Sequence, residues 1–136
     1  MRFDTKIAVV LREDLPVWQK LNVTAFTVAG LAGTRPELIG EPYRDGSGNL
    51  YLPMLRQPVL VFAGPAEALK AAHARALARN LRMAVYTADL FATGYDEANR
   101  AAVQVVPAEA LDLVGFALHE ERKDIDKVLK GLSLHP

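Results

Sequence analysis

The sequence predicts a three-layer α/β/α sandwich, a single domain over residues 1–136 with a mixed sheet of about four main strands. Three observations carry this expectation. Ile7 to Leu11 is an unbroken apolar run rich in β-branched residues, so it has no solvent face and belongs inside a sheet covered on both sides. From Gln57 to Ala88 an apolar strand, an alanine-rich helix and a second strand follow with short joints, the pattern of a right-handed crossover between parallel strands. A hydrophobic fraction of 51% in 136 residues suffices for one sizeable core and is short for two.

The first strand leads into a helix that runs to about Leu31, with Asp14 as its expected cap and Pro16 in its first turn. Val17, Leu21, Ala25, Val28 and Ala32 form the expected core stripe, flanked by a polar row of Lys20, Thr24 and Thr27. Val23 and Phe26 are apolar where a solvated helix is polar, which points to a covering segment or a second subunit and hence to a homodimer. Gly33 and Pro36 end the helix. Leu38-Ile39 and Leu50-Tyr51-Leu52 flank the turn-rich Asp45 to Asn49 and read as a hairpin or ordered loop. Gln57 to Ala63 is the second buried strand, Pro65 to Asn80 a helix with Ala68, Leu69, Ala72, Ala76 and Leu77 inward, and Arg82 to Ala88 the third strand. Tyr95 to Val106 is a further helix stopped by Pro107, Leu111 to Leu118 the last strand, and Arg122 to Lys130 a closing helix with Ile125, Val128 and Leu129 inward.

Sixteen basic residues balance sixteen acidic ones, so no global field attracts nucleic acid or an anionic membrane. The absence of cysteine excludes disulfides, thiol nucleophiles and thiolate metal sites, and suits a reducing cytoplasm. Without a signal-peptide pattern or a long apolar run, the expectation is a soluble cytoplasmic protein with no membrane segment. Gly46-Ser47-Gly48 matches neither a phosphate loop nor a dinucleotide fingerprint, and no Gly-x-Ser-x-Gly elbow exists. His73, His119 and His135 are scattered, so neither a metal nor a cofactor is expected.

In an open α/β sheet, ligands gather at the carboxyl ends of strands, which puts Arg12, Glu13 and Asp14 at the mouth of a site with the start of the first helix. Lys20, Thr24 and Thr27 stand on that helix, while Asp89 and Thr93 follow the third main strand. The run Lys6 to Leu15, followed by a helix bearing Lys20, resembles the start of type II peptidyl-tRNA hydrolases. In that family a strand ending in Arg-x-Asp-Leu precedes a helix with a functional Lys, a Gln four residues on and a His seven on. Thr24 and Thr27 stand at those last two places here. The family motif Asp-Ala-Gly-Arg-Thr is matched by Asp89 and Thr93 around Leu90-Phe91-Ala92. Leu113 to Leu118, Asp126-Lys127-Val128 and Leu132-Ser133-Leu134 resemble the family's last strand, helix and tail. The whole chain also resembles an uncharacterised bacterial family, a domain of unknown function sharing the type II hydrolase fold.

The resemblance implies that fold, a homodimer, and a cleft near Lys20 and Asp89 that holds a small polar ligand. Lys20, Asp89 and Thr93 carry over as catalytic candidates, with Arg12, Thr24, Thr27 and Phe91 as ligand contacts. Two readings follow. One is a binding module that holds a small polar ligand without turning it over. The other is an ester or amide hydrolase, peptidyl-tRNA included, in which Lys20 stabilises an oxyanion while Asp89 and Thr93 position water. Phe91 replaces part of the motif that carries the family's Arg, and the loss of a planar fork for phosphate makes tRNA the weaker partner. Each residue also has a plainer role: Lys20 as a lysine lying along the helix edge, Asp89 and Thr93 as turn and cap residues, and Thr24 and Thr27 bonded to their own helix.

Overall fold

The computed structural model describes residues 1–136 and places the first apolar run at the middle of a five-stranded mixed sheet. This strand, β1 (Thr5–Arg12), pairs in parallel with β4 (Val59–Gly64) and antiparallel with β6 (Leu113–Glu121). β5 (Ala84–Thr87) forms one edge beside β6, and β7 (Ser133–Leu134) the other beside β4, giving the order β5-β6-β1-β4-β7. The expected four main strands are therefore joined by a fifth from the tail. β4 and β5 run in the same direction but are not neighbours, because β1 and β6 lie between them. A separate hairpin joins β2 (Tyr43–Arg44) to β3 (Leu50–Tyr51). The earlier apolar arm of the expected hairpin lies elsewhere: Leu38 ends a short 3-10 turn and Ile39 bridges to Leu55.

Alternation along β1 divides the core. Ile7, Val9 and Leu11 face α1 (Val17–Thr34), whereas Ala8 and Val10 face α2 (Ala66–Ala78) and α4 (Arg122–Val128). Ile125, Val128 and Leu129 are buried on that second side as expected. α3 (Asp96–Gln104) stands beyond β5 against the 3-10 turn Ala88–Ala92. A bulge lies between β5 and β6: Tyr86 pairs with Gly115 and Thr87 with Leu113, which leaves Val114 as the extra residue. Val114 thereby joins the α1 side of the core while Phe116 faces α2, although a regular strand would put both on one face.

The face that α1 turns inward differs from the expected one. Val23, Thr27 and Leu31 are its buried residues, whereas Val17 is 72% and Leu21 67% exposed. Val23 is therefore core and gives no support to a second subunit, while Phe26, 53% exposed, rests edge-to-face on Tyr86. The reason lies with β6: Val23 sits over Gly115, where the missing side chain lets the helix close onto the sheet. The helix begins after Pro16, with no side-chain cap. The Arg12 Nε instead donates to Asp14 at 2.6 Å, and that guanidinium holds the Asp14 carboxyl below the usual carboxylate range. In α2, His73 takes the inward place expected of Leu77, which is exposed.

Burial of His73 beside Phe116 pushes its imidazole below the ordinary value of 6.5, since a charged ring is poorly solvated there. Between the folded value and 6.5 the unfolded chain binds a proton that the folded chain refuses, so stability rises with pH through that window and falls as acid is added. The slope from one such group is at most about 1.4 kcal/mol per pH unit, and it vanishes below the folded value, where both states are protonated. His119, lowered by burial and by Arg35, acts in the same direction. Urea unfolding at pH 7.5 and pH 5.5 is expected to show a smaller acid loss for His73→Leu than for the unchanged protein. Equal losses would exclude His73 as a source.

Candidate functional site

Two hollows flank α1; of the residues expected at the site, Lys20 lines one, Phe91 and Thr93 the other, and Arg12, Thr24, Thr27 and Asp89 neither. The first, about 300 Å³, opens where β1 and β4 end and is lined by Glu13, Lys20, Gly64, Pro65 and His135. The Glu13 amide donates to the Gly64 carbonyl at 2.9 Å, tying the two strand ends together. β7 brings the tail alongside: the His135 amide donates to the Val61 carbonyl at 2.9 Å, and the ring comes to rest over Lys20. The Lys20 ammonium lies 3.0 Å from His135 Nε2, and His135 Nδ1 lies 2.9 Å from the Pro136 main-chain oxygen. An ammonium can only donate, so Nε2 must be the accepting nitrogen and Nδ1 carries the hydrogen given to Pro136. The result is a neutral imidazole of fixed tautomer beside a cation that forms no ion pair of its own.

The second hollow, about 330 Å³, lies on the other flank of α1 and holds Trp18, Asn22, Tyr86, Phe91 and Thr93. Its aromatic rings form a chain: Trp18 to Phe91 at 5.8 Å, Phe91 to Tyr86 at 5.0 Å, and Tyr86 to Phe26 at 5.6 Å between centroids. Asn22 Nδ2 donates to the Tyr86 hydroxyl at 3.1 Å, and the Thr93 hydroxyl is held by Asn99 and by the Leu90 carbonyl. Burial raises the Tyr86 phenol above its ordinary value, so it stays neutral and able to donate.

Lys20 and Asp89 are not joined by any hydrogen bond or ion pair, and Asp89 lines neither hollow. It is exposed in the 3-10 turn after β5, an outer strand, whereas Lys20 leans toward β4. Arg12 is engaged by two acids, Asp14 and, at 3.3 Å, Asp112. The Thr24 hydroxyl donates to the Lys20 carbonyl and that of Thr27 to the Val23 carbonyl, each at 2.8 Å, so both are spent on their own helix. No three His, Asp or Glu side chains converge as metal ligands would. Trp18, Asn22 and Phe26 stand four apart in one helical row, the sequence signal that marks this face of α1 but not the residues that meet it. His135 has no local signal at all, because only strand pairing carries it to Lys20.

The family model described as "Protein of unknown function (DUF2000)" matches residues 5–136. A solved structure of a protein of unknown function from Agrobacterium tumefaciens strain C58 is similar at 50% identity and a TM-score of 0.97, covering 99% of this chain and 100% of that one. No curated protein matches the chain. No helix is long and apolar enough to cross a membrane. With a family model matched over nearly its whole length and that solved relative alongside, the chain belongs to the DUF2000 family of proteins of unknown function.

Proposed function

We propose that the protein binds a small polar ligand of about amino-acid size, bearing a carboxylate, in the cleft between Lys20 and His135. The observation that carries this reading is an unpaired ammonium, held at 3.0 Å by a neutral imidazole, inside a cleft of about 300 Å³ at the carboxyl ends of two parallel strands. Lys20 receives the carboxylate and Glu13, on the same wall, accepts from a donor on the ligand. The start of α2 at Pro65 adds the positive end of a helix dipole. The fold behind the cleft is, in this reading, that of the type II peptidyl-tRNA hydrolases, supported by the strand-to-helix opening and the mixed sheet.

Binding is favoured over hydrolysis by the state of the imidazole. The nitrogen that would take a proton from water is occupied by Lys20, and Asp89 stands too far out of the cleft's contacts to replace it. Titration calorimetry with the twenty common amino acids, beside peptidyl-tRNA cleavage assays, tests both readings. Saturable binding of an amino acid, weakened about tenfold or more in Lys20→Met, is the expected result, since a charge-assisted hydrogen bond is worth about 1.5–3 kcal/mol. Cleavage lost in Lys20→Met and in Asp89→Asn would establish the hydrolase reading instead.

A further inference from the structure

The second hollow gathers aromatic rings from four places in the chain. Trp18 and Phe26 come from α1, Tyr86 from β5, Phe91 from the 3-10 turn and Tyr95 from the approach to α3. Five aromatic side chains thus line one hollow although aromatics make up 7% of the chain, so the fold has concentrated them there. Tyr86 is buried, Phe91 is half-buried, and Trp18, Phe26 and Tyr95 are exposed. The ring planes are inclined to one another, at 69° for Trp18 and Phe91, 46° for Phe91 and Tyr86, and 88° for Tyr86 and Phe26.

The kind of ligand follows from the lining. Parallel rings accept a flat ligand between them, whereas rings set at angles suit a rounded one. The polar side chains are already engaged: Asn22 with the Tyr86 hydroxyl, Thr93 with Asn99 and the Leu90 carbonyl, and Asp96 with Arg100. A ligand that needs hydrogen bonds meets few free partners there, and a group without donors or acceptors forfeits none. Asp96 is the only charged side chain in the lining, and its partner Arg100 lies outside it. The start of α3 adds the positive end of a helix dipole, answered in its first turn by Asp96 and Glu97. With a carboxylate and no basic side chain, the lining favours a cation over an anion.

We propose that the second hollow binds a small quaternary ammonium compound, its trimethylammonium head seated against Trp18, Phe91 and Tyr95. The methyl groups of such a head carry its positive charge to the negative faces of the rings, and it has no N–H donor to satisfy. At about 330 Å³ the hollow stands near the lower end of the range for small-molecule sites, which fits such a head with a short arm. It shares no residue with the Lys20 cleft, so this inference stands or falls independently of the carboxylate-binding reading.

Trp18 is the chain's only tryptophan, so its fluorescence reports on this hollow directly. The probe is choline, titrated into the full chain at constant ionic strength beside 3,3-dimethylbutan-1-ol, in which carbon replaces the nitrogen and the shape is kept. A saturable change in Trp18 emission with choline is expected, with the neutral alcohol binding about tenfold more weakly. Tyr95→Leu, a change at an exposed side chain, keeps apolar surface but removes a ring face, and is expected to weaken choline binding about fivefold. Trp18→Leu, followed by calorimetry, is expected to weaken it about tenfold, because indole is the strongest of these ring partners. An emission change that does not saturate, equal or tighter binding of the neutral alcohol, or an unchanged affinity in either variant would each overturn the proposal.

Discussion

Phe116→Ala is expected to lower the unfolding free energy by about 3–5 kcal/mol, the range for removing a fully enclosed ring from a core that collapses only in part. Phe116 is the largest of the fully buried side chains. It sits on β6 with Val10 and Val85 as its partners on the adjoining strands, beneath the ring of His73 from α2. Neighbours on three sides belong to backbone already locked in the sheet ladder, so little can move into the void. Against a total of about 5–15 kcal/mol for a domain of this kind, the loss is a large fraction. In urea the midpoint is expected to fall by about 2 M with the slope unchanged. Leu21→Ala serves as the comparison: at 67% exposure it is expected to cost less than about 0.5 kcal/mol. A cost for Leu21 equal to that for Phe116 would place the wrong face of α1 against the sheet.

Gly115→Ala is the second large effect, for the opposite reason. A Cβ there would stand 2.5 Å from Val23 Cγ1 and 2.8 Å from the Val10 carbonyl oxygen. The first contact involves a branched side chain with few rotamers, and the second involves the backbone of the central strand, so neither yields cheaply. A loss of about 3 kcal/mol, the upper end for overpacking, is expected in the same urea experiment. Combining Gly115→Ala with Val23→Ala removes the first clash and leaves the second. The double variant should therefore be less destabilised than the sum of its parts, and strict additivity would show that the helix does not rest where Gly115 puts it.

These two residues also show where the sequence is legible. The run Ile7 to Leu11 identifies the middle strand because no other arrangement hides so many consecutive apolar side chains. The inner face of α1 is not legible in the same way. Its 18 residues include a single charge, Lys20, so periodicity marks two apolar faces and cannot choose between them. The choice falls to Gly115, distant in sequence, and to the Thr27 hydroxyl, which enters the core because it bonds the Val23 carbonyl. The bulge that separates Val114 from Phe116 likewise exists only in the pairing of β6 with β5.

By itself the sequence determined the α/β alternation, the central strand and the place of Lys20 beside the strand ends, because local propensity and unbroken hydrophobic runs suffice for these. Only the tertiary structure decided that Lys20 meets His135 rather than Asp89, and that Trp18, Asn22, Phe91 and Thr93 share a separate aromatic hollow. The physical reason is that both outcomes depend on which strands become neighbours. β7 joins the β4 edge and carries His135 across to Lys20, while β5 takes the opposite edge and holds Asp89 away.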